Sequence, residues 1–120
     1  MRSFIITLLL LISMISVIVA NAVYINATAE KIIELTEDAN FKKAPIDALL
    51  RLESFWDENK LFVEFSVGYK STDRISELLI DLREYVITNN LTEARRVRKL
   101  IADCASDISK LEKLSLENLL

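Results

Sequence analysis

The sequence predicts an all-α chain in which an N-terminal transmembrane helix continues into an antiparallel helical bundle of three to four long helices. Three observations carry this. The stretch from Phe4 to Ala20, FIITLLLLISMISVIVA, is apolar except for Thr7, Ser13 and Ser16, and no charged residue lies between Ser3 and Ala29. At about 1.5 Å per residue, such a helix crosses a hydrocarbon core of about 30 Å. The chain holds one Gly, Gly68, and one Pro, Pro45, too few turn-formers for a many-stranded sheet. Beyond the apolar run, apolar residues recur at helical spacing.

The N-terminal segment has two readings. A signal peptide needs a basic start, a short apolar core and a small-x-small cleavage site; Arg2 supplies the first, and Ala20-Asn21-Ala22 or Ala27-Thr28-Ala29 the last. The apolar core is long for a signal, which favours an uncleaved anchor. Residues 1–25 are therefore assigned as the transmembrane anchor and 26–120 as the bundle domain. Arg2 precedes the span, whereas Glu30, Lys31, Glu34, Glu37 and Asp38 follow it. By the positive-inside rule the N-terminus is cytoplasmic and the bundle extracytoplasmic, in a single-pass protein of the cell membrane. Cleavage would instead give a secreted domain. Ser13, Ser16 and Ala20 put small side chains on one helical face, where a second membrane helix can approach closely.

The first helix is expected to continue outward to about Phe41 as a stiff stalk, with Ile25, Ile32 and Ala39 seven apart and Leu35 between them. Pro45 suits the first turn of the next helix. There Ile46, Leu49, Leu50, Glu53 and Trp56 share a face, and Asp47 and Arg51 form an i,i+4 pair. Trp56 is expected to be the structural anchor of the core. The segment Leu61–Tyr69 alternates as a half-buried strand does and also fits a helix. A lone strand would leave its backbone groups unpaired, so helix is preferred, with a break near Gly68. Ser71, Thr72 or Asp73 can cap the next helix, whose stripe is Ile75, Leu78, Leu79, Leu82 and Val86. Asn89-Asn90 ends it and Thr92 caps the last, with core face Ala94, Val97, Ile101, Cys104 or Ala105, Ile108 and Leu111, running to about Leu114. The short connection between these two makes them antiparallel neighbours.

The Trp56-x-x-x-Lys60 pair, the long apolar helix after it, the hairpin beyond, and the ending from Glu112 to Leu120, EKLSLENLL, together resemble a bacterial family of small membrane-anchored helical proteins, catalogued as domain of unknown function 4363. The resemblance spans nearly the whole chain. It implies a bacterial surface location and a helical fold, and supplies no activity. Members often carry a His near the position of Gly68 and Tyr69; this chain has no His, so no role of that residue carries over.

Composition narrows function further. Without His there is no Ser-His or Cys-His catalysis and no His-containing metal site. Glu53, Asp57, Glu58 and Glu64 lack the Asp-rich loop and turn Gly of a Ca²⁺ site and read as a solvated face. Cys104 is the sole cysteine, on an apolar stripe, and reads as a buried thiol. All 18 acidic residues but only 14 of the 15 basic ones lie beyond the span, an acidic excess that argues against a nucleic-acid partner. Arg95, Arg98 and Lys99, with Arg96, form the one basic cluster and can contact headgroups or an acidic partner, unless Asp81 and Glu84 neutralise it. Asn26-Ala27-Thr28 and Asn90-Leu91-Thr92 match the glycosylation pattern, a short signal with no weight in a bacterial protein.

The expectation is thus a non-enzymatic, cofactor-free, membrane-anchored interaction module, an accessory or regulatory partner of another cell-envelope protein. The alternative is a secreted helical ligand-binding domain. The expected partners are the lipid bilayer and a protein in or on the membrane.

Overall fold

A computed structural model describes residues 1–119. Among these the chain forms α1 (Arg2–Thr36), a four-residue α2 (Asn40–Lys43), α3 (Pro45–Val67), α4 (Tyr69–Ile87) and α5 (Leu91–Leu119), with no strand. The alternating segment 61–69 is therefore helical, its residues up to Val67 closing α3.

Long-range hydrogen bonds fix the topology. Along α1, Asn21 bonds Ser66 and Tyr24 bonds Asn59, so α3 runs antiparallel to α1. Asn21 also meets Glu112, Asn26 meets Ser109 and Thr36 meets Arg98, so α5 runs antiparallel to α1 as well. Trp56 bonds Ser76 and Glu53 bonds Arg83 across an α3–α4 hairpin. The four long helices alternate in direction, and α1, α3, α4 and α5 pack in a ring in which α5 returns to α1.

The outer half of α1 is not a stalk. Ile25, Thr28, Ala29, Ile32 and Thr36 are buried, and this half forms one wall of the core. A short loop then releases α2, whose Phe41 is buried under the bundle end. The seven-residue stripe fails at Ala39, which is exposed because α1 has already ended at Thr36. α1 passes through residue 25 without a break.

Ala44 adopts φ −140°, ψ 71° ahead of Pro45, outside the α region that the ring of a following proline disfavours. Pro45 then opens α3, where a missing N–H is harmless. The buried face of α3 is Ala48, Leu49, Leu52, Trp56 and Val63, while Ile46 and Leu50 are exposed. The buried face is therefore rotated by most of a residue step from the expected stripe, with Ala48 and Leu52, not Ile46 and Leu50, turned into the core. Arg51 pairs with Asp38 at 3.4 Å, not with Asp47, because the α1–α2 loop lies against this turn.

Gly68 alone links α3 to α4, at φ 90°, ψ 166°. That backbone region is open essentially to glycine alone. α4 starts directly at Tyr69, so Ser71, Thr72 and Asp73 cap nothing: Thr72 is buried in the first turns and its hydroxyl donates to the Tyr69 carbonyl at 2.9 Å. The stripe Ile75, Leu78, Leu79, Leu82 and Val86 is buried in full. At its far end Asn89 takes φ 58°. The Asn90 N–H bonds the Tyr85 carbonyl at 2.8 Å and the Asn89 N–H bonds Val86 at 3.1 Å, the paired pattern of a Schellman ending. Asn90, not Thr92, caps α5, its side-chain oxygen accepting the Glu93 N–H at 3.4 Å.

In α5, Ala94, Val97, Ile101, Ala105 and Ile108 are buried; Cys104 is half-buried and Leu111 exposed. The helix continues past Leu114 to Leu119. Burial of each large aliphatic side chain contributes about 1.5–3 kcal/mol. Trp56, 2% exposed, is the largest side chain in this core.

Candidate functional site

The six residues singled out as partner contacts lie in two places. Ser13, Ser16 and Ala20 are exposed on α1, the first two beyond the bundle altogether. The 18-residue apolar window at the start of this helix has none of its residues buried. Arg95, Arg98 and Lys99 sit at the opposite end of the bundle, near the start of α5. Thr36, which Arg98 bonds, is 16 residues past Ala20, about 24 Å along the helix.

Around Arg98 the helices build a cleft of about 810 Å³. Its rim carries five basic side chains, Lys42, Arg95, Arg96, Arg98 and Lys99, against three acidic ones, Glu37, Asp38 and Asp103. Two of these charges are taken. Arg96 is paired with Glu93 at 2.9 Å, a contact that keeps its guanidinium firmly protonated, and Asp38 is paired with Arg51. Glu84 and Asp81 do not neutralise the cluster; the acidic partner used on α5 is Glu93, three residues before Arg96.

Arg98 is held differently from its neighbours. Its Nη1 donates to the Thr36 carbonyl at 3.0 Å, at the C-terminal end of α1 where carbonyls lack helical partners. Its guanidinium carbon lies 4.4 Å from the centroid of the Phe41 ring, a cation–π arrangement. Its Nε is buried without a partner. Burial, and then the neighbouring Arg95 charge, draw its pKa below the usual arginine range. Arg98 therefore ties α5 to the α1–α2 corner, while Arg95 and Lys99 point their charges outward with no ion pair among the described residues. Sequence spacing finds the cluster but not Thr36, Phe41 or Lys42, which the α1–α2 turn brings to it.

No group of three metal-ligating side chains occurs among the described residues. Glu53 is engaged in a two-pronged pair with Arg83, at 2.9 and 3.0 Å. Cys104 is half-buried, and its thiol pKa is raised mainly by desolvation, with Asp107 and Asp103 adding to the rise and Arg74 opposing it. It is not a thiolate poised for nucleophilic attack.

A family model, Domain of unknown function (DUF4363), matches residues 12–119. The chain belongs to this family. The match begins inside the apolar run and takes in every helix of the bundle. No curated protein and no solved structure matches the chain. Membership in DUF4363 thus brings the fold into a known group without bringing a reaction or ligand.

Proposed function

We propose that this DUF4363 protein is a non-enzymatic, single-pass interaction module of the bacterial cell envelope, with a cytoplasmic N-terminus and an extracytoplasmic bundle that docks on another envelope protein. One observation carries the anchored reading: the helix whose first half is wholly uncovered is the same helix whose second half is buried in the core. The uncovered half needs an apolar medium. Cleavage after Ala29 would remove Ile25, Thr28 and Ala29 from the core, and cleavage after Ala22 would remove the two bonds made by Asn21. Retention of the segment keeps the bundle whole.

The partner contact is assigned to Arg95 and Lys99 on the cleft rim, whose free charges suit an acidic segment of the partner. Charge complementarity there governs the rate and specificity of encounter. Fractionation followed by N-terminal sequencing tests the anchor: a membrane-retained Met1 or Arg2 supports it, whereas a soluble chain starting at Val23 or Glu30 gives the secreted ligand-binding reading. Capture from gently solubilised membranes tests the docking. Arg95→Glu with Lys99→Glu is expected to lose the captured protein, and capture indifferent to this reversal removes the cleft from the proposal.

A further inference from the structure

We infer that the α3–α4 elbow is a second membrane contact, its aromatic side chains seated in the headgroup region beside the emerging span. The inference rests on the anchored reading above and adds where the bundle lies relative to the bilayer.

Exposed aromatics are unevenly placed in this chain. Past the span, Phe41 and Trp56 are buried and Phe55, Tyr24 and Tyr85 are half-buried, whereas Phe62, Phe65 and Tyr69 are 66%, 96% and 61% exposed. All three belong to the last turns of α3 and the first of α4, with Leu61 beside them at 73%. Other exposed aliphatics, such as Ile46 and Ile80, are scattered along the bundle without an aromatic neighbour on the surface.

The hydrogen bonds set the height of this patch. Ser66 donates to the Asn21 side-chain oxygen at 2.7 Å, and Asn21 directly follows Ala20, the last residue of the apolar run. Tyr24 donates to Asn59 at 2.6 Å and packs edge-on against Phe62, ring centroids 6.3 Å apart. The elbow is thus level with the point where α1 leaves the hydrocarbon. Phe65, adjacent to Ser66, lies at that level, and Tyr69, three residues further along the antiparallel path, lies at it or below. A groove between α1 and α3 there is lined by Ala20, Tyr24, Phe62 and Phe65. The patch is continuous with the membrane face of the span. Tyr69 suits this depth, where an apolar ring with a polar tip meets a wet boundary, and Phe62, Phe65 and Leu61 supply the apolar surface that an interfacial helix buries at the headgroup–acyl boundary. Lys60 and Lys70 bracket the patch and can lift their ammonium groups to phosphates.

The test is spin labelling of the full chain in vesicles of phosphatidylcholine and phosphatidylglycerol, with Cys104→Ser as background and single labels on Ile12→Cys, Phe65→Cys and Ile80→Cys. Collision with oxygen relative to a water-soluble nickel chelate reads depth. We expect the label at residue 12 in the hydrocarbon centre, the label at 80 in water, and the label at 65 several-fold richer in oxygen collisions than at 80. Adding Phe62→Ser and Tyr69→Ser should move the label at 65 toward water. A label at 65 as open to nickel as that at 80, with residue 12 still in hydrocarbon, overturns the elbow contact and leaves the anchor standing. A label at 65 shielded from both collision partners shows a second copy covering the patch and also overturns it. Residue 12 in water removes the anchor and the inference together.

Discussion

Trp56 and Ser76 join the two arms of the α3–α4 hairpin, the indole N–H donating to the Ser76 hydroxyl at 3.0 Å. The largest side chain of the core is thereby satisfied at its one polar atom as well as packed. Trp56→Ala is expected to destabilise the chain by about 3–5 kcal/mol. Trp56→Phe, which keeps most of the area and leaves Ser76 unpaired, should cost about 1–3 kcal/mol. Denaturant midpoints of the full chain in mild detergent, followed by circular dichroism, measure both. A loss below about 0.5 kcal/mol for the alanine variant would contradict a buried indole.

Gly68 sits at φ 90°, and a Cβ added there would meet no atom within 4 Å. The cost of Gly68→Ala is therefore backbone strain alone, about 1–3 kcal/mol. The thermal midpoint should fall by about 4 °C or more. An unchanged midpoint would show that the link relaxes to an ordinary conformation.

Removing the N-terminal apolar run at different points should give different proteins. A chain of residues 21–120 retains Asn21, Tyr24 and Ile25, the last 1% exposed; a chain of 26–120 lacks all three. Loss of one fully buried isoleucine and its neighbouring hydrogen bonds is expected to destabilise the shorter chain by about 3 kcal/mol relative to the longer. Parallel urea titrations decide this, and equal midpoints would place residues 21–25 outside the folded unit.

Cys104 links stability to alkaline pH. Its thiol pKa is raised on folding, chiefly by desolvation, so the folded chain holds the proton more tightly than the unfolded one. That contribution is fully present below the unfolded thiol pKa and is lost as pH rises through the folded value. Native Cys104 should react with iodoacetamide more slowly than unfolded chain, with its rate rising at higher pH. As pH rises through the thiol range, Cys104→Ser should lose less stability than the native chain. Equal alkylation profiles for the native and unfolded protein would refute the shift.

The helical architecture was legible because few turn-formers and repeated stripes leave little choice; the α4 stripe from Ile75 to Val86 was legible residue by residue, and so was the Asn89 ending. Cap positions were not. Gly68 ends one helix and starts the next with no side-chain cap, a solution that leaves Thr72 inside the helix. The α3 face was misplaced because Leu, Ile and Phe occur all round that helix, which hides the amphipathic contrast on which periodicity depends. The same blurring concealed Phe62 and Phe65, whose spacing fits a core. At the cleft, the α5 charges were visible as a run, whereas Phe41 and Thr36 reach Arg98 only through the turn after α1.

On the anchored reading proposed above, α1 belongs to two solvents at once. Because its outer half supplies one of four core walls, no hinge separates insertion from folding: tilt or rotation of the inner half must be answered by repacking of Ile25, Ala29 and Ile32 against α3 and α5. A lateral force, a change in bilayer thickness or a second helix pressing on Ser13 and Ser16 would thus be transmitted along one rigid lever to the Thr36–Arg98 corner. An anchor built this way could not serve as a passive tether, and shedding the bundle by proteolysis within residues 23–36 would dismantle what it released.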